Sequence, residues 1–188
     1  MAKVSVYMIK RDFYLSKLIH SMWNDDVKVI TGIRRSGKSQ LMIDYINYLK
    51  SNYSDINIIF VDFVALDFDF LKEYHALHSY IESKYDSNKT NYVFIDEVQL
   101  CPNFELAINS LYSKRKYDIY ITGSNAFLLS NDLATLFTGR YIELHVFPFS
   151  FKEYCLYYSD NSDKNQLFDD YVINGGLSGS YVYQTELD

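Results

Sequence analysis

The segment "VKVITGIRRSGKSQLMIDYINYLK", Val27 to Lys50, constrains the fold more than any other stretch. A short apolar run ends at Thr31, a glycine-containing loop follows, and Leu41, Met42, Tyr45, Ile46 and Leu49 then recur at helical spacing. Gly32, Gly37, Lys38 and Ser39 fit the pattern G-x-x-x-x-G-K-[ST] at this strand-to-helix junction. Glycine allows backbone angles at which successive N–H groups converge on an anion, and the helix adds its positive N-terminal end. The loop Gly32, Ile33, Arg34, Arg35, Ser36, Gly37, Lys38, Ser39 and Gln40 is therefore read as a phosphate cradle. Lys38 would meet the β- and γ-phosphate oxygens and the Ser39 hydroxyl would ligate Mg²⁺. A chance match in a surface turn would lack the apolar strand before it and the amphipathic helix after it. Arg34 and Arg35 either approach nucleotide or another subunit, or are solvated charges at the loop tip, and the second reading is the simpler.

Short β-rich runs alternate with helical patterns along the rest of the chain, which predicts an α/β fold with a parallel sheet. The strand candidates are "VKVIT" from Val27, "INIIFVDFV" from Ile56, "NYVFID" from Asn91, "YDIYIT" from Tyr117 and "YIELHVF" from Tyr141. Helices are predicted at Arg11 to Met22, Phe70 to Tyr85, Asn125 to Phe137 and Phe151 to Tyr158, and at the stripe Phe104, Ile108, Leu111 and Tyr112. "YVFIDEVQ" places Asp96 and Glu97 at the end of an apolar strand, like a Walker B segment. Asp96 would hold Mg²⁺, in part through water, and Glu97 would polarise the attacking water. A solvent-facing acidic pair is the plainer reading, which the phosphate loop disfavours. Ser124 or Asn125 in "YITGSN" could reach the γ-phosphate or the water, or the stretch is simply a turn that needs Gly123. Arg140 is either a charge stabiliser for the departing phosphoryl group, in its own chain or across a subunit boundary, or a plain surface arginine.

Composition removes other classes. With 188 residues the default is one domain, and a net charge of −6 argues against broad electrostatic attachment to nucleic acid, although not against a local basic groove. Cys101 and Cys155 suggest neither a disulfide framework nor a zinc site, and His75 with His78 lacks a third ligand. No stretch has signal-peptide or membrane-span character, so a cytoplasmic location without membrane contact is expected. "NKTN" at Asn88 departs from a guanine-selecting motif at Asn91, and the tyrosine-rich stretches lack the Lys/Arg clusters of a base-stacking surface.

"IKRDFYL", "TGIRRSGKS", "FIDEVQLCPNF", "YITGSNAFLLS", "TGRYIELHVFPFSFKEY" and "YVINGGL" occur in the order seen in the AAA-14 family of prokaryotic ATPases, and the chain resembles that family over residues 8–177. The resemblance implies an AAA+-type P-loop NTPase: a three-layer α/β/α sandwich with a mainly parallel sheet in the order 5-1-4-3-2, using ATP and Mg²⁺. It also implies Glu97 as catalytic base and Ser124 or Asn125 as sensor. The expected division is an ATPase domain over residues 1–158, then a polar linker, a short helix and the start of an absent C-terminal domain over 159–188. The family's usual proline after "GGL" is replaced by Ser178. DNA contact would belong to that further domain, and self-association or a protein partner stays open. The expected activity is Mg²⁺-dependent ATP hydrolysis, and the alternative is a nucleotide-binding switch with little turnover alone. A small-molecule kinase is disfavoured, since no arginine-rich lid follows the fourth strand and Glu97 suits water activation.

Overall fold

The computed structural model describes residues 9–123, 135, 137, 139–158 and 163–177. In chain order the elements are α1 (Asp12–His20), β1 (Val27–Thr31), α2 (Lys38–Asn52), β2 (Ile56–Asp62), α3 (Tyr74–Ser83), β3 (Thr90–Asp96), α4 (Phe104–Ser113), β4 (Tyr117–Thr122), β5 (Tyr141–His145), α5 (Phe151–Tyr157) and α6 (Lys164–Asn174).

The strands form one parallel sheet in the order β2-β3-β4-β1-β5, which is the expected 5-1-4-3-2 read from the other edge. β1 and β4 are buried along their whole length, and the edge strands β2 and β5 are only partly so. That contrast explains why the central strands read as near-continuous apolar runs, interrupted by Lys28 and Asp118: both of their faces are covered by helices. Alternate strand residues feed two cores. Val29, Ile59, Val93 and Ile119 pack with Leu77 and Ile81 of α3 and with Ile108 and Leu111 of α4. Ile30, Phe94, Tyr120 and Leu144 pack on the opposite face with Leu18 of α1 and with Leu41, Met42, Tyr45 and Leu49 of α2. Each fully buried aliphatic side chain of this kind contributes about 1.5–3 kcal/mol.

Several predicted boundaries shift for local reasons. The predicted helix from Phe70 to Tyr85 is a 3₁₀ stretch at Leu66–Leu71 followed by α3, because the Glu73 side chain accepts the Ala76 N–H and starts a new helix. α1 stops at His20, short of Met22, and the chain reverses through Trp23 and Asp25, both with positive φ. The predicted helix from Asn125 to Phe137 lies almost wholly outside the described residues. α6 packs on α5 around Tyr154 and Leu167, and its Tyr171 hydroxyl donates to the Phe149 carbonyl at 2.8 Å.

Candidate functional site

β1 delivers the chain to the C-terminal end of the sheet at Thr31, and the loop turns there under tight steric control. Gly32 has φ +147°, and a Cβ at that position would lie 2.3 Å from the Val146 carbonyl oxygen and 2.8 Å from Ser36 Oγ. No other residue fits this turn, since the backbone that follows β5 occupies the space. The Val146 N–H in turn donates to the Thr31 carbonyl at 2.8 Å, tying the loop's entry to β5. Gly37, with φ +94°, is the N-cap of α2 and has no side chain to cap the helix. The first amides of α2 therefore keep their donors for an incoming anion. Ser36 Oγ is buried and has no hydrogen-bond partner among the described residues. A donor-lined seat with an unused buried hydroxyl suits a phosphate group. Ile33, Arg34 and Arg35 are exposed at the tip.

Lys38 is buried, with its Nζ donating to the carbonyls of Gly32 at 3.0 Å and Ile33 at 3.1 Å. Burial lowers its pKa, while the charges of Glu97 and Asp96 act to raise it, so the ammonium lies within the electrostatic reach of both acids. Asp96 closes β3 and is buried. Its carboxyl is held above the usual carboxylate range by burial; hydrogen bonds from Thr122 and Ser39 act the other way, and the charges of Glu97 and Asp62 add to the rise. The Ser39 hydroxyl thus acts on the Asp96 carboxyl, although β1, which leads into the loop, and β3 are separated in the sheet by β4. Ile30 pairs with Thr122, whose hydroxyl donates to Asp96, so the loop and the acid emerge at the same end of the sheet. A divalent cation between the Ser39 and Asp96 oxygens would relieve the penalty of the buried carboxylate, and Mg²⁺ commonly takes one or two carboxylates and completes its shell with phosphate and water.

Glu97 is in the left-handed region at φ 53°. Its N–H donates to Thr122 Oγ1 at 3.0 Å, and its carboxylate accepts from the Gln99 amide. Thr122 also donates to Asp96, so one hydroxyl at the end of β4 braces both acids. Sequence reasoning missed Thr122 and Gln99. Thr122 reads as an ordinary β-branched strand residue, and only its position as the last residue of β4, level with Asp96, hinted at more. Ser124 and Asn125, the expected sensors, lie outside the described residues.

Arg140 is not brought to the loop within this chain. Its carbonyl accepts the N–H of Val27, the first residue of β1, whereas the loop leaves after the last. The two ends of β1 are roughly 13 Å apart at about 3.3 Å per residue. The guanidinium lies over the Tyr112 ring, 5.8 Å from its centroid. His78 meets Ser110 Oγ at 3.1 Å, in a helix-to-helix contact between α3 and α4.

A parallel sheet in this order, with a glycine loop after its central strand and an acid pair at the end of the second neighbour, defines a P-loop NTPase fold. Residues 24–155 match the AAA-14 family, described as AAA domain, and the chain belongs to it as a nucleotide-binding domain. An uncharacterised protein of Haemophilus influenzae is 37% identical over 181 residues, which cover 93% of this chain and 45% of that protein. One from Methanocaldococcus jannaschii is 30% identical over 139 residues, 73% of this chain and 30% of its own length. The chain thus spans less than half the length of these relatives. Among solved structures, AMPPCP-bound DnaA from Aquifex aeolicus superposes with a TM-score of 0.60 at 17% identity, covering 92% of this chain and 58% of that one. The Aeropyrum pernix ORC1 protein in complex with DNA superposes at 0.59 and 11% identity, covering 80% and 48%. These two similarities concern the fold alone. Among the described residues no helix is long and apolar enough to cross a membrane.

Proposed function

We propose that this domain binds ATP with Mg²⁺ and hydrolyses it to ADP and phosphate. The observation that carries the reading is that the phosphate loop and the acid pair emerge at the same end of the sheet, since Ile30 of β1 pairs with Thr122 and the Thr122 hydroxyl donates to Asp96. In this reading the backbone of Gly32 to Gln40 seats the phosphates, and Lys38 exchanges its two loop carbonyls for β- and γ-phosphate oxygens. Ser39 and Asp96 hold Mg²⁺. Glu97, released from or steadied by Gln99, takes the proton of the attacking water. Ser124 and Asn125 keep their sensor role as part of the proposal, as does Arg140 acting from a second chain. A cytoplasmic setting belongs to the same reading.

The test is thermal stabilisation by ATP, ADP and GTP with Mg²⁺, combined with phosphate release. A ligand that binds the native state alone must raise its stability, by about 2.7 kcal/mol at a hundred times Kd. Lys38→Ala is expected to abolish the nucleotide-induced shift. Glu97→Gln should keep the shift and lose phosphate release by about 10²-fold or more. Unchanged release in Glu97→Gln would remove Glu97 from its role. A second reading, a nucleotide-binding switch with little turnover alone, is favoured by the remoteness of Arg140 from the loop of its own chain. Turnover that is independent of any partner and of protein concentration would count against it.

A further inference from the structure

Arg11 is an arginine in a polar-looking stretch of sequence, yet it is only 6% exposed. Its Nη1 donates to the Ser36 carbonyl at 2.9 Å and to the Phe147 carbonyl at 2.7 Å. Nε and Nη2 form a fork on Glu153, at 2.9 and 3.2 Å, and Nη2 also reaches the Pro148 carbonyl at 3.4 Å. The guanidinium also lies over two aromatic rings, 4.4 Å from the Tyr14 centroid and 5.1 Å from that of Phe149. Glu153 is itself fixed by a capping box with Ser150 at the start of α5. A rigid planar donor fork locked on every side is thus aimed at one carbonyl of the phosphate loop.

The consequence follows from the peptide unit. In a trans planar peptide the C=O of one residue and the N–H of the next point in opposite directions. Holding the Ser36 oxygen toward Arg11 therefore turns the Gly37 N–H away from Arg11. Gly37 is also a residue that needs holding, because it is a glycine at φ +94° with no side chain to anchor it and, unlike Gly32, without backbone packed against its Cα. We propose that Arg11 is a positioning residue for the phosphate seat: it fixes the Ser36–Gly37 peptide plane so that the Gly37 N–H faces the bound phosphate. This deepens the proposed nucleotide-binding reading and rests on it.

The experiment is isothermal titration of the 188-residue chain with Mg²⁺–ADP and with a non-hydrolysable Mg²⁺–ATP analogue, alongside the amide ¹H–¹⁵N spectrum of Gly37. Arg11→Gln is expected to weaken both ligands about ten-fold, the worth of one misdirected hydrogen bond. It should also shrink the displacement of the Gly37 amide signal on binding, and raise KM with kcat little changed, as loss of uniform binding does. Glu153→Gln serves as the control for a merely structural role. It is expected to lower thermal stability while nucleotide affinity stays within about two-fold of the parent, because Ser36 keeps its donor. If Arg11→Gln fails to fold, Arg11→Met combined with Glu153→Leu leaves neither charge stranded and carries the same measurement. An Arg11 variant with parental affinity and a parental Gly37 response would overturn the proposal while nucleotide binding stands. A parent chain that binds neither ligand would overturn both.

Discussion

At the scale of single residues, the site is held by backbone geometry that side chains cannot imitate. Gly32→Ala would place a methyl group 2.3 Å from the Val146 carbonyl oxygen, and because that oxygen belongs to the backbone next to β5 it cannot swing aside. Overpacking of this kind costs about 1–3 kcal/mol. The chain relieves it by moving the loop, so nucleotide-induced stabilisation should vanish along with the fall in melting temperature. A variant that melts lower yet binds nucleotide normally would show that the close approach at Gly32 is dispensable. Glu153 gives a pH-dependent counterpart. Its burial works to raise the pKa, but hydrogen bonds from Arg11 and from Ser150, with the charge of Arg11, outweigh that and hold it below the usual value of 4.5. With a folded pKa below the unfolded one, the unfolded chain binds the extra proton, so the carboxylate's contribution is fully present above about pH 4.5 and fades as pH falls through the folded value. Glu153→Gln should accordingly melt below the parent at pH 7 and close the gap progressively under about pH 4. A gap that stays constant across that range would rule out the charge as its source.

At the scale of elements, β1 and β4 are joined by more than their ladder. Lys28 and Asp118 form a buried ion pair, with side chains 2% and 1% exposed. Asp118 also accepts from the Trp23 N–H at 3.0 Å and from the Tyr120 hydroxyl at 2.8 Å, and the Tyr120 and Tyr45 hydroxyls meet at 2.9 Å. Burial, with the Asp118 charge next, drives the Tyr120 phenol far above its ordinary pKa, which keeps it a neutral donor to that carboxylate. Lys28→Met would strand Asp118 and is expected to cost about 3–5 kcal/mol in denaturant unfolding. Adding Asp118→Leu should recover little, since it orphans the Trp23 and Tyr120 donors at about 1–3 kcal/mol each. Full recovery in the double variant would mean that the pair, and not the wider network, carries the energy. This network also marks where sequence reasoning runs out. Val29, Ile30, Ile119 and Ile121 announce their strands because burial on two faces is written into consecutive residues. Gly32, Gly37 and Lys38 announce the loop because the required backbone angles select the residue type. Lys28, Arg11 and Thr122 announce nothing. Their partners lie far along the chain, as Asp118, Glu153 and Asp96, and a single polar residue has no period from which burial could be inferred. The predicted helix at Phe70 failed for a related reason: a cap depends on where one carboxylate points, and apolar spacing is blind to that.

At the scale of the whole molecule, Arg140 and the phosphate loop occupy different ends of the sheet, since Arg140 is bonded to the start of β1 and the loop begins where β1 stops. Its exposed guanidinium rests on Tyr112, at the far end of α4. An arginine so placed can meet a bound phosphate only if it is presented by a second copy, whose loop faces the first copy's β5 entrance. Such contact joins two unlike surfaces, a head-to-tail arrangement that gives each site one loop from one chain and one arginine from the next. Turnover per chain should then rise with protein concentration. Arg140→Ala should lower kcat by about 10³-fold or more while leaving nucleotide-induced stabilisation intact. The decisive measurement mixes Arg140→Ala with Glu97→Gln. Each variant alone lacks one half of every site, but in a mixed assembly the loop of the first meets the arginine of the second and an intact site is restored. Phosphate release from the mixture above the sum of its parts is the expected outcome. A mixture no more active than its components, alongside a parent whose specific activity does not change on dilution, would leave Arg140 as a surface charge resting on an aromatic ring.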